Sequence, residues 1–194
     1  RQININPIWF NFQDGGYFGY LVNPTFQRLT ESFVPVGILI SEGAYHYVRH
    51  QFYYSSDQSK IISLSANLEL GTYYNGKLNS GSITVRVSPT PHFSLSGTLN
   101  RNRFINVGDN KETATADLWS INGRFAVNPR LQLIGFYQKN SASDLGNYNI
   151  RLSWEYQPLS YLYLVFNHRG FDNTQLQRQT EDHAIMKLSY LRQL

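Results

Sequence analysis

The chain has 194 residues, a formal net charge of +4, no Cys, 15% aromatic residues and only 15% charged residues. Soluble domains carry roughly 25% charged residues, and the longest apolar stretch, around Val34–Ile40, falls far short of the ~20 residues of a membrane helix. The composition thus argues against a highly charged soluble globule and against a helical membrane protein. The frequent aromatic and β-branched residues argue against disorder. With no Cys there is no disulfide framework, no Cys-ligated zinc and no thiol nucleophile. The charge is too small and too scattered to point to nucleic acid.

Along the chain one pattern recurs: segments of alternating apolar and polar residues, separated by turn residues. A period of two is the signature of a strand with two unlike faces. The spacing predicts eleven strands, at 3–12, 17–28, 43–55, 60–74, 80–88, 92–101, 117–127, 130–139, 148–157, 160–167 and 184–194. In the fourth, Ile62, Leu64, Ala66, Leu68 and Leu70 oppose Ser63, Ser65, Asn67 and Glu69. In the fifth and sixth, Ile83, Val85 and Val87, then Phe93, Leu95 and Leu99, oppose Ser, Thr, Asn and Arg86. Trp119, Ile121, Phe125 and Val127 oppose Ser120, Asn122 and Arg124; Ile150, Leu152, Trp154 and Tyr156 oppose Arg151, Ser153 and Glu155. Leu131–Gln138 and Tyr161–Phe166 are apolar on both faces, which leaves their orientation open. So is the role of Leu29–Ser41, either a strand extension or an external loop. The polar segment Phe171–Asp182 reads as a loop.

Connectors differ in length. Ser88–Pro91, Asn128-Pro129 and Gln157–Ser160 read as tight turns, with Pro where no ladder amide is needed. Arg101–Ala116, Lys139–Asn149 and Asn167–His183 read as long polar connectors. Alternating short and long connectors imply strands that run up and down, with one plain and one elaborate end. This is the layout of a bacterial outer-membrane barrel. The fold expectation is therefore all-β: an antiparallel up-and-down transmembrane β-barrel, or the C-terminal part of one, with about ten to twelve strands. Residues 1–194 are expected to form a single barrel region; because an odd strand number does not close a bacterial barrel, either one strand lies unread at Leu29–Ser41 or upstream strands are absent and the region is the C-terminal portion of a longer chain. The final segment, 184–194, reads as a closing strand with Met186, Leu188 and Tyr190 on one face.

On this reading Glu69, Arg86, Arg124, Arg151, Glu155 and Lys187 face the lumen and pair across neighbouring strands. Leu64, Leu68, Val85, Leu95, Phe125, Leu152 and Leu188 face lipid. Trp119, Trp154, Tyr156 and Tyr190 sit in interfacial girdles, where an amphipathic ring meets both phases.

Catalytic and metal signals are weak. His46 and His50 share a strand face about 13 Å apart, too far for one ion. His168 and His183, with Asp172, Glu181 and Asp182, flank a loop where a cation site is conceivable, although a solvated loop is the default. No Gly-x-Ser-x-Gly elbow marks a hydrolase, and Gly15-Gly16 opens no helix that would make a phosphate loop. No catalytic, cofactor or metal residue is assigned.

Sequence stretches between Gly71 and Tyr190 resemble the Bacteroidetes family known as domain of unknown function 5916. The resemblance lies in Gly71–Gly76, Phe136–Ser141, Asn149–Pro158, Leu162–Asn167 and Met186–Tyr190. It implies a secreted protein whose N-terminal carbohydrate-binding family 9-like β-sandwich, absent from this chain, precedes an outer-membrane barrel. The expected location is the bacterial outer membrane. The expected partners are its lipid, other outer-membrane proteins, and glycan through that absent domain. The expected role is membrane anchor, pore or component of an outer-membrane assembly. A soluble β-barrel or sandwich that binds a ligand, and an outer-membrane barrel hydrolase, are the alternatives.

Overall fold

The computed structural model describes residues 1–141, 145–173 and 177–192. Eleven strands follow one another in a single antiparallel up-and-down sheet, in the order of the sequence. They are β1 (Ile5–Asn11), β2 (Tyr17–Leu29), β3 (Gly43–Ser55), β4 (Ile62–Tyr73), β5 (Gly76–Thr90) and β6 (Phe93–Val107). They continue with β7 (Glu112–Asn128), β8 (Leu131–Asn140), β9 (Leu145–Gln157), β10 (Ser160–Asn173) and β11 (Gln177–Ser189). Each strand-rich segment expected from the two-residue period is present.

The connectors differ from expectation. Arg101–Ala116 is not a long loop: β6 runs to Val107, β7 begins at Glu112, and four residues join them. The polar segment Phe171–Asp182 is likewise largely strand. The β10–β11 ladder continues from Asn167↔His183 out to Asn173↔Gln177. Lys139–Asn149 also contributes strand residues at both of its ends, while 142–144 lie outside the described residues. Backbone pairing needs no apolar residue, so a ladder extends where both faces are polar. The last strand ends at Ser189 rather than at the chain's last residue; Gln193 and Leu194 lie outside the described residues. The connections β5–β6, β7–β8 and β9–β10 are two-residue turns at Pro91, Pro129 and Pro158, as the proline pattern implies. At the second of them, Asn128 Oδ1 accepts the amides of Arg130 and Leu131 at 2.8 and 3.0 Å.

The strands are shared between two compact units. One comprises Arg1–Val85 and Leu99–Asp117, the other Arg86–Thr98 and Leu118–Leu194.

In the first unit, Leu29 ends β2 and the rest of Leu29–Ser41 is a loop with a 3-10 turn, Pro35–Gly37, closed by a Phe33–Ile40 bridge. Ile38 and Ile40 are buried against Tyr74, Phe104 and Val107. This small apolar core ties the β2–β3 loop to the β4–β5 and β6–β7 turns. Asp109 N donates to Leu39 O at 3.0 Å, and Ser41 Oγ to Asp109 at 2.5 Å. Asn75 accepts from Gly108 N at 2.9 Å and donates to Gly108 O at 3.0 Å. Gly108 itself has φ +81°, and a Cβ there would lie 2.5 Å from both Ile38 Cγ2 and Leu39 O. Left-handed backbone and collision act together, so Gly108→Val is expected to cost about 1–3 kcal/mol and to free the cap. Protease cleavage within 30–42 should accelerate in that variant; unchanged cleavage would mean the loop is not held through Gly108.

At the other strand ends of this unit, the β1–β2 turn is tied to the β3–β4 turn by Lys60 Nζ–Asp14 Oδ2, 3.2 Å. The amide of Gly16, and then Lys60, hold the Asp14 carboxyl below its ordinary range.

Candidate functional site

Alternation gives most of the strands one apolar and one polar face, and on many of them exposure separates the two in an inverted sense. On the strands of the second unit, Leu95, Trp119, Ile121, Phe125, Leu133, Ile150, Trp154, Leu164, Met186 and Leu188 are exposed. Of their opposite-face neighbours, Ser94, Ser96, Ser120, Arg124, Ile134, Ser153 and Glu155 are half-buried, whereas Asn122, Arg151, Ile185 and Lys187 are exposed. The first unit shows the same sense. Leu64 and Leu68 on β4 are 36% and 43% exposed, whereas Ser63 is 2% and Arg49 on β3 is 5% exposed. In water the apolar face of a half-buried sheet is the covered one; here its apolar residues are among the more exposed. Val85 is exposed with this face, as is Tyr190 just beyond β11, while Leu152 and Tyr156 are half-buried. Trp154 and Tyr156 meet edge to face, centroids 6.0 Å apart, and the Tyr156 hydroxyl donates to Ser189 O at 2.9 Å.

The polar face of the first unit holds the densest arrangement of functional groups. Register places Arg49 opposite Gly71 and Gln51 opposite Glu69 on β4, and Arg49 opposite Asn23 on β2. Arg49 Nε donates to Glu69 Oε1 at 2.7 Å. Its remaining nitrogens reach the carbonyls of Glu69 and Gly71, both at 3.3 Å, and that of Leu78. Gly71 lets the β4 backbone come close to that of β3 at Val48. Its φ is +140°, and a Cβ would run into the carbonyl oxygen of Val48. Thr72 Oγ1 restores the interrupted ladder by accepting Val48 N at 2.8 Å.

Beside this network lies a recess of about 280 Å³, lined by Asn23, Thr25, Tyr47, Arg49, Glu69 and Tyr73. Asn23 is 3% exposed, and its Oδ1 is without a hydrogen-bond partner. A buried carbonyl oxygen of this kind calls for a donor, and the recess is large and polar enough to hold water. The chemistry available is hydrogen bonding and charge pairing to a small polar occupant.

The six expected lumen charges are divided between the two units. Glu69 lies in the first unit with Arg49, a partner that the charge pattern did not single out. The others lie in the second unit. Arg124 is half-buried and held by Gln132 Oε1 at 3.2 Å and Pro91 O at 3.3 Å. Glu155 accepts the amide of Leu159 at 3.0 Å, within its own turn. Arg86, Arg151 and Lys187 are exposed. Register shows why Arg124 and Arg151 stay apart: each stands opposite Ile134, on either side of it.

The histidines are separated as well. His50 Nδ1 lies 2.8 Å from the Tyr20 hydroxyl, and His46 packs on the Phe26 ring, centroids 4.6 Å apart. His168 pairs with Asp182 at 2.6 Å and His183 with Glu181 at 2.8 Å. Asn167↔His183 and His168↔Asp182 are successive rungs, so the two pairs sit on opposite faces and cannot share an ion. The Asp172 side chain lies outside the described residues. Among the described residues no three His, Asp or Glu side chains gather in a metal-binding group.

Comparison of the chain with protein-family models, curated proteins and solved structures finds no match.

Proposed function

We propose that this chain is the membrane-embedded sheet of a bacterial outer-membrane β-barrel protein, acting as anchor, pore or component of an outer-membrane assembly. The observation that carries the reading is the inverted polarity: exposed Leu, Ile, Phe and Trp on one face, buried Ser, Asn and Arg on the other. Such a sheet is at odds with water and matched to lipid, where every backbone amide must be paired internally and a closed barrel meets that demand. Closure of the sheet is part of the proposal. Trp119, Trp154 and Tyr190 suit the interfaces, and Arg49, Glu69 and Arg124 suit a polar interior. A soluble ligand-binding sheet would need its apolar face covered. The resemblance to the domain of unknown function 5916 family agrees with this reading, and through it a link to glycan handling is part of the same proposal.

The test is refolding. Diluted from urea into vesicles or detergent micelles, the chain should gain β circular dichroism and migrate differently on a gel when unheated. Diluted into buffer alone it should aggregate. A folded, monomeric, detergent-free product would overturn the reading.

A further inference from the structure

The apolar face of the first unit is not uniformly smooth. Between β4, β5 and β6 it is hollowed into a groove of about 520 Å³, in the size range of small-molecule sites. Leu68, Ile83 and Leu99 wall it and Gly81 forms part of its floor; a Cβ at Gly81 would still lie 3.9 Å from Leu68 Cδ1. One end is different in kind. Leu99, Arg101 and Arg103 alternate along β6 and therefore share a face, and both arginines line the groove. Arg101 is fixed by a bidentate pair with Asp117, at 2.8 and 2.7 Å. Arg103 is exposed, and a guanidinium presents a fork of donors matched to phosphate oxygens.

We propose that this groove is a binding site for an anionic phospholipid, with an acyl chain along Leu68, Ile83 and Leu99 and the headgroup phosphate on Arg103, supported by Arg101. The inference rests on the membrane reading above. The charge at the rim selects the occupant: a neutral apolar ligand would leave the Arg103 guanidinium unused, and a soluble anion would leave the apolar walls uncovered. The Arg101–Asp117 pair fixes the rim and keeps Asp117 from opposing the phosphate with an unpaired charge.

Native mass spectrometry of the full chain, released from a neutral detergent after equilibration with phosphatidylglycerol or phosphatidylcholine of identical acyl chains, tests it. Phosphatidylglycerol should be retained in preference, and Arg103→Gln should reduce that preference about tenfold, the worth of one charge-assisted hydrogen bond. Arg103→Lys should keep most of it. Gly81→Phe, which fills the groove, should lower retention of both lipids. Arg103→Gln leaves the Arg101–Asp117 pair intact, and its gel mobility and circular dichroism report folding separately. Equal retention of both lipids, a preference indifferent to Arg103→Gln, or displacement of the lipid by inorganic phosphate would each overturn the lipid site while leaving the membrane reading standing. Failure of the parent chain to enter vesicles would overturn the membrane reading itself.

Discussion

Arg49→Ala is expected to lower unfolding stability by about 3 kcal/mol, at the lower end of the cost of breaking a buried ion pair. The side chain of Arg49 is only 6% exposed, and that of Glu69 is 30% exposed. Removing the arginine strips Glu69 of its counter-charge and leaves the carbonyls of Gly71 and Leu78 without this donor. Partial exposure lets water reach Glu69, which is why the upper end of the range is not expected. Glu69→Gln keeps an acceptor for Arg49 Nε and should cost less. Urea titration in micelles gives the answer as a shift of the midpoint at unchanged slope. A midpoint within experimental scatter of the parent would mean that the network is not holding β3 against β4. The double variant Arg49→Ala/Glu69→Ala adds a sharper check. If the pair is coupled, the double loss falls short of the sum of the single losses.

The sequence made the strands legible and left the site hidden, for the same physical reason. Alternation appears only where the two faces meet different media. Leu64–Leu68, Ile83–Val87 and Phe93–Leu99 lie in that band, and their strands were readable. Beyond it, Asn100, Arg101, Asn102 and Arg103 on β6 are polar on both faces, so the period of two vanishes although the backbone remains a strand. The same holds where the β10–β11 ladder extends past His183. Polar stretches that read as long loops were strands without contrast. Burial of Ile38 and Ile40 was equally illegible, because it depends on the β2–β3 loop docking against Phe104 and Val107, more than sixty residues downstream. The site needed register as well. Arg49 stands among His46, Tyr47 and His50, whose ligand chemistry draws attention, while nothing local marks the arginine as buried. Its pairing with Glu69 follows from Arg49↔Gly71 and from the positive φ of Gly71, which no single-sequence period encodes.

Leu95→Arg should cost about 1–2 kcal/mol when the chain is folded in a bilayer, between the ~2–4 kcal/mol of a cationic side chain on the lipid-facing side of a barrel at the midplane and the ~0–1 kcal/mol near the interfaces. Leu95 lies between Phe93, beside the β5–β6 turn, and Leu99 on the exposed apolar face, and its Cδ1 would be 3.7 Å from a Cβ at Gly123. It therefore also covers a glycine of the neighbouring strand, and that cover is lost with it. The expectation turns on the medium. Leu95 is 42% exposed, and a substitution at so exposed a site in water ordinarily changes stability by no more than about 0.5 kcal/mol. The same variant thus reads out what the apolar face touches. Ser96→Arg, one residue along on the polar face, is the internal control and should cost less than about 1 kcal/mol, since interior-facing positions of a barrel accept charge. Paired unfolding titrations in vesicles of the parent, Leu95→Arg and Ser96→Arg give the two differences directly. A large loss for Leu95→Arg with a small one for Ser96→Arg places lipid against the apolar face. The reverse order would mean that the apolar face meets water and the polar face is the packed one, and the membrane assignment would fall with it.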